Sequence, residues 1–420
     1  MANVLILTLV FPPDNVSTAH IIGDLACDLH ARGHSVTVLT TTPHFNRDQE
    51  AESKQPLHHF WGPVLRKSYY QGIPVYHTMM PHKGSNVFLR LLAWTGFHKL
   101  STLVGLTIVS RPDIVIAPSP PLTIGVSAWI IGMLRGAPFI YNVQEIYPDI
   151  AIRLGALRNV MTIRFLYALE RFVYKKAAIV TVIAPKMRQN LLLKRVPDDK
   201  VEVIPNFVDV ADLYPLPKVN PFSQKYSIHD KFVVSYAGNY GVPQGLNTFL
   251  EAAHILRHDS DIRFMMIGDG MQREHLRHRI EALGLNDFLF LPHQPFSLVP
   301  HIYAASDANL VPQTHEAGFE AVPSKVYRIM ACARAVIAVT DPSSDLAQLV
   351  NEARCGIVAR PGSAQELARV IRWAYEHKKE WLEMGKAGHL HISQTYTRTA
   401  ITERYDRLIR NILANKETGP

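Results

Sequence analysis

Residues 312–338 read PQTHEAGFEAVPSKVYRIMACARAVIA, and this stretch decides the fold. A short apolar run, 307–311, leads into it at Pro312, and a second run, 335–339, closes it. The loop between them carries two carboxylates, Glu316 and Glu320. Pro323 and Ser324 then have the form of a helix start, with Ser324 able to cap free N–H groups. Val326, Ile329, Met330 and Ala333 give that helix an apolar face. Strand, loop, helix and strand in this order form one unit of an α/β sheet. Lys325 in the first turn opposes the helix dipole. Its position makes sense if an anion sits between its ammonium and the helix start, where unpaired N–H donors suit a phosphate.

The same alternation runs upstream to a strand over 232–237. Its loop, Gly238-Asn239-Tyr240-Gly241-Val242-Pro243-Gln244-Gly245, precedes a helix over 246–258. Glycines there let backbone N–H groups approach a diphosphate closely. A strand over 263–267 ends in Gly268-Asp269-Gly270, and one over 288–291 leads into Pro292-His293-Gln294-Pro295. Downstream come helices over 343–352 and from 362 to 375, a strand over 356–359, and a last helix over 395–414.

The first half shows the same rhythm. A strand over 4–10 is followed by the loop FPPDNVST, which holds Asn15 and Ser17. A helix over 19–32 and a strand over 35–41 complete a β-α-β unit, which implies parallel pairing. Residues 44–70 read as a polar excursion at the domain edge, and 74–78 as a short strand. An apolar helix over 83–110 with a basic rim and Trp94 fits either an interfacial membrane contact or core packing. The strand over 138–143 ends in Gln144-Glu145, and ligands of open α/β sheets bind at carboxyl ends of strands. Glu145 reads either as a group facing a ligand or as a cap of the next helix. After a strand over 201–204 comes Pro205-Asn206-Phe207-Val208-Asp209, and residues 214–222 read as a linker.

Taken in order from about 4 to 412, these motifs resemble the retaining glycosyltransferases of family 4, whose fold is called GT-B. The resemblance implies two Rossmann-like parallel-sheet domains facing a cleft, 1–207 for the acceptor and 208–394 for a nucleotide sugar. A terminal helix near 395–415 would cross back to the first domain. Aligning MACARAVIA with the tail of the family signature puts Glu320 on its first Glu and Arg328 on its second, which in the family grips ribose. Pro323-Ser324-Lys325, with Gln244 in place of the usual Lys, resembles the WbuB-like and colanic-acid-type transferases of bacterial surface polysaccharide synthesis.

The resemblance implies catalytic roles for Glu320, Lys325 and Glu145. Gly238, Asn239, Tyr240, Gln244, Gly268, Asp269, Gly270, His293, Gln294, Pro323, Ser324 and Arg328 would hold the donor. Asn15, Ser17 and Gln144 would lie on the acceptor side. Amides of 238–240, Lys325 and the helix start would stabilise the departing diphosphate. No metal is expected, so the protein itself would supply that charge. No cofactor is expected. The expected partners are a nucleotide-sugar donor, UDP-linked with an N-acetylamino sugar as a candidate, and a lipid-linked saccharide, with peripheral membrane contact. Two other readings are a nucleotide-sugar epimerase on the same fold and a non-catalytic binder, the latter motivated by Arg328 and Gln244.

Composition fits this frame. The chain has 420 residues, 47% hydrophobic and 19% charged, enough for two domains with their own cores. A net charge of +8 suits anionic partners, but the scattered basic residues match no nucleic-acid motif. Cys27, Cys332 and Cys355 lie far apart without metal spacing, so a reduced, cytoplasmic setting is expected, with any membrane association peripheral.

Overall fold

The computed structural model describes residues 1–44, 49–62, 64–80, 87–315 and 322–417, with the backbone alone described for 87–93 and 417. The chain folds as two compact units, Met1–Asn206 with Arg398–Pro420, and Phe207–Thr397.

Unit 1 is built on nine described strands: β1 (Asn3–Leu7), β2 (Ser35–Thr41), β3 (His58–Trp61), β4 (Leu65–Tyr70), β5 (Ile73–Thr78), β6 (Ile114–Pro118), β7 (Phe139–Val143), β8 (Ile179–Val182) and β9 (Val201–Val203). They lie in the order β3-β4-β5-β2-β1-β6-β7-β8-β9. From β5 to β9 the pairing is parallel. β6 and β7 are buried along their whole length, as strands covered on both faces must be. β1 has neighbours added on both sides, β2 and β6, so the crevice at its carboxyl end is the switch point where ligands of such sheets bind.

The edge differs from the expected polar excursion. The strands β3, β4 and β5 form an antiparallel meander. The turn between β4 and β5 places Gln71 at φ 48° and Gly72 at φ 84°, both left-handed, which matches the right-handed twist of a tight hairpin. The described part of the helix Val87–Thr107 packs as a core helix. Phe97 is buried, and His98 is held between Ser127 and Thr123 at 3.1 and 2.7 Å. Side chains of 83–93 lie outside the described residues. Among those described, no helix is long and apolar enough to cross a membrane.

The last helix, Arg398–Glu417, belongs to unit 1 and starts a few residues later than its apolar spacing suggested. Arg398 pairs with Asp24 and Asp28, His34 meets Asp406 at 2.7 Å, and the Tyr405 hydroxyl accepts from Asn142.

Unit 2 has six described strands: β10 (Phe232–Ala237), β11 (Ile262–Ile267), β12 (Leu289–Leu291), β13 (Ala308–Pro312), β14 (Ala335–Val339) and β15 (Gly356–Ala359). Their order is β12-β11-β10-β13-β14-β15, all parallel. β10 is the switch strand, so the loops after β10 and β13 flank the ligand crevice of this sheet. One core packs Phe249, Phe264, Leu310, Ile337, Leu367 and Trp381 together.

Two segments of unit 2 depart from expectation. The presumed linker folds onto the unit: Asn220 caps the helix Pro221–Lys225, and Lys218 reaches Asp307 at 2.5 Å. A further helix, Lys378–Thr395, packs on β14 and on the helix Lys325–Ala331.

Candidate active site

In unit 2, two loops interlock at the carboxyl ends of β10 and β11. Gly238, Gly268 and Gly270 hold φ of 152°, 152° and 154°. A Cβ on Gly268 would fall 1.9 Å from the Gly238 carbonyl oxygen, and one on Gly270 would fall 2.6 Å from the backbone of Tyr240. Glycine is therefore required where these loops cross.

That crossing corrects the role expected of the loop amides. The Gly238 N–H donates to Ile267 at 2.9 Å and the Tyr240 N–H to Asp269 at 2.7 Å. The Gly241 N–H donates to the Gln244 side-chain oxygen at 3.0 Å, so Gln244 staples its own loop. Of 238–240, only the Asn239 amide lacks a partner among the described residues. Tyr240 is equally internal: its ring is fully buried and stacks on Phe290 at 5.4 Å. Asp269 accepts from the Gly270 N–H at 2.7 Å, a bond local to its turn.

The cationic groups stand closer to the crevice. The helix after β13 is short, Lys325–Ala331. Ser324 does not cap it, because its own φ of −57° and ψ of −20° are helical and no cap bond forms. Instead, the Val326 N–H bonds the Pro323 carbonyl at 3.0 Å. Two turns make a weak dipole, so the positive charge resides mainly in side chains.

The Lys325 ammonium lies 3.8 Å from the centroid of the Tyr236 ring. A Cβ on Gly238 would come within 2.7 Å of it, so glycine at 238 makes room for the ammonium. One turn on, the Arg328 guanidinium lies 5.6 Å from the centroid of the Phe296 ring. Neither cation meets a carboxylate among the described residues. Burial first, and the charge of Arg328 second, bring the Lys325 ammonium down from 10.5 to about 7.

Glu316 and Glu320 lie outside the described residues. His293 is exposed, and Gln294 donates to Pro292 at 2.9 Å within the loop after β12. That loop continues into Phe296, which ties it to Arg328. The ring seats Tyr236 and Phe296 escaped sequence reasoning. The available signal was an aromatic residue at the end of β10, two positions before a required glycine.

In unit 1, Gln144 and Glu145 follow β7 directly but behave differently. Gln144 is buried and both ends of its amide are engaged. Its oxygen accepts from Asn206 at 3.0 Å, and its nitrogen donates to Asn142 at 2.7 Å. Asn142 donates onward to Thr181 at 3.0 Å and Tyr405 at 2.8 Å. Gln144 is thus a link in a polar thread, with a side-chain partner at each end of its amide.

Glu145 is half-buried. It does not cap the next helix, Asp149–Arg153, which starts at Pro148 without a side-chain cap. Burial alone raises its carboxyl above the ordinary 4.5. In the loop after β1, Asn15 meets His20 at 3.2 Å, and Ser17 opens the helix Ser17–Ala31 rather than belonging to the loop. Asp14, also missed in the sequence, is buried there and accepts from the His44 N–H at 2.8 Å.

Comparison with known proteins places the chain in a family. Residues 18–206 match the Glycosyl transferase 4-like domain, and residues 220–391 match Glycosyl transferases group 1. WcaI of Escherichia coli (strain K12), named as a colanic acid biosynthesis glycosyl transferase, is 24% identical over 88% of this chain and 91% of its own. The glycosyltransferase WbjE of Pseudomonas aeruginosa is 25% identical over 73% and 76%. The crystal structure of Anabaena HepE in complex with UDP and glucose superposes with a TM-score of 0.73 at 17% identity, covering 98% of this chain and 100% of that one. With both units matched, the chain belongs to the GT-B glycosyltransferases of the family 4 type.

Proposed function

We propose that this glycosyltransferase moves a sugar, with retention of configuration and without a metal, from a nucleotide diphosphate sugar to a lipid-linked glycan in bacterial surface polysaccharide synthesis. A UDP-linked donor is favoured by the likeness to a UDP complex. The place in polysaccharide synthesis is favoured by the likeness to WcaI.

The observation that carries this reading is the half-buried Lys325 beside Gly238, with Arg328 one turn on against Phe296. In transfer, the bond from the anomeric carbon to the diphosphate breaks and a bond to an acceptor hydroxyl oxygen forms. Negative charge grows on the departing diphosphate, and Lys325 with Arg328 offsets it at fixed positions. Glu320 would orient sugar hydroxyls through charge-assisted hydrogen bonds. The acceptor proton passes to a leaving phosphate oxygen or to Glu145, whose carboxyl burial raises above its ordinary value.

The test is incubation with a panel of UDP-, GDP- and dTDP-sugars and a bacterial lipid extract, read by mass spectrometry of the lipid fraction. The reading expects one added sugar residue with a UDP-sugar. Donor binding without transfer, or epimerised donor without acceptor, would contradict it.

A further inference from the structure

Elsewhere on unit 1, one face combines exposed apolar and cationic side chains. It centres on the helix Val160–Lys176. Val160, Met161 and Phe165 are 59%, 71% and 65% exposed, a poor arrangement for side chains left in water. Met161, Phe165 and Ala168 share one stripe of the helix, and Arg164, Arg171 and Lys175 run beside it. The helix has one carboxylate, Glu170, which is buried and paired with Lys194 at 2.6 Å, so it does not offset these cations.

The face continues past the helix. A pocket of about 630 Å3 opens where Arg171 and Lys175 meet Leu193 and Arg195, beyond the helix Pro185–Leu193. Leu193 is 86% exposed. The other lysines of the pocket are engaged: Lys194 holds Asp149 and Glu170, and Lys200 donates to the carbonyls of Lys175 and Ala177. Arg171, Lys175 and Arg195 meet no carboxylate among the described residues. The nearby Asp198 is paired with Arg188.

We propose that this face docks the protein on an anionic phospholipid bilayer. Met161, Phe165 and Leu193 enter the interfacial layer, and Arg164, Arg171, Lys175 and Arg195 meet lipid phosphates. Apolar side chains beside uncompensated cations on an exposed helix are what such a layer accepts. Charge complementarity decides the occupant. A second copy of this chain would bring like charges together across the contact, whereas a phospholipid surface offers phosphate and hydrocarbon side by side. The inference rests on exposure and charge, independently of the transfer reaction, so transfer activity is not its readout.

The test is flotation of the full chain with vesicles of phosphatidylglycerol and phosphatidylcholine, against phosphatidylcholine alone. Binding is expected to the mixed vesicles and to weaken as salt rises. Met161→Glu with Phe165→Glu, and separately Arg171→Glu with Lys175→Glu, should each weaken it at least about tenfold. Because these side chains are exposed, the melting temperature should stay unchanged. Absence of binding to mixed vesicles, or unchanged binding by both double variants, would overturn the proposal. So would a dimer of the unmodified chain that either double variant dissolves.

Discussion

At the carboxyl end of β13 the protein keeps an ammonium, and at the carboxyl end of β7 it keeps a carboxyl. Burial is the first cause of both shifts and acts in opposite directions, lowering Lys325 to about 7 and raising Glu145. In each case the uncharged form gains. The surroundings differ. Lys325 sits against an aromatic ring with a second cation one turn away, so its pocket calls for an anion. Glu145 has a neutral neighbour, Gln144, whose hydrogen bonds are all internal. The unit 2 pocket thus sets two cations together without a described carboxylate, and the unit 1 position sets a carboxyl beside a neutral amide.

Removing the charge receptor gives the largest effect. Lys325→Ala should lower turnover at least about tenfold with the fold intact, because the departing diphosphate loses its nearest ammonium. Near-normal turnover in a steady-state assay would take Lys325 out of the chemistry. Glu145→Gln should lower kcat by roughly tenfold while leaving nucleotide-sugar affinity unchanged. A change in affinity alone would place Glu145 among the donor contacts and end the contrast between the two positions.

Gln144→Leu tests whether the polar thread of unit 1 is structural. It strands the Asn206 and Asn142 side chains, and each buried unpaired group costs about 1–3 kcal/mol. A lowered denaturant midpoint is expected, and an unchanged one would return Gln144 to the acceptor side.

The smallest effects are on thermal stability, and they should run in opposite directions with pH. The unfolded chain binds a proton at Lys325 up to about 10.5 and the folded one only to about 7. Stability therefore rises with pH between these values, and the burial penalty is full below about 7. Lys325→Met should raise the melting temperature by a few degrees at pH 7 and below, with the gain fading as pH rises. For Glu145 the folded carboxyl binds its proton more tightly, so the penalty is present above its raised pKa and fades on acidification. Glu145→Gln should stabilise at neutral pH, with a gain that disappears in acid. Melting curves of both variants between pH 5 and 10 would show the two slopes, and parallel slopes would break the comparison.

Much of this was legible in the sequence. The buried parallel strands stand out because continuous apolar runs such as Ile114–Pro118 end at turn residues. Lys325 stood out because a cation in a first turn runs against the dipole. Of the β3–β5 meander only β5 did, because the turn before it uses Gln71-Gly72 and the outer strand is wholly exposed. The helix Lys378–Thr395 was missed for another reason. Its buried positions are Trp381, Gly385, Gly388 and Ile392, and apolar spacing does not register two glycines. Those glycines give the close approach: a Cβ on Gly385 would sit 2.6 Å from the Ala333 carbonyl oxygen. The loop amides of 238–241 show the limit most clearly. Glycines mark where backbones come close, but only the folded loops show that the partner is another loop of the same unit.

Proton uptake on donor binding tests the unit 2 pocket most directly. A UDP-sugar has no group of its own titrating near neutrality, so calorimetry at pH 8 in buffers of different ionisation enthalpy isolates the protein's proton. The wild-type protein should take up close to one proton as the diphosphate restores charge to Lys325, and Lys325→Met should take up none. Equal uptake by the two proteins, or none by the wild type, would contradict a pocket whose ammonium is completed by a diphosphate.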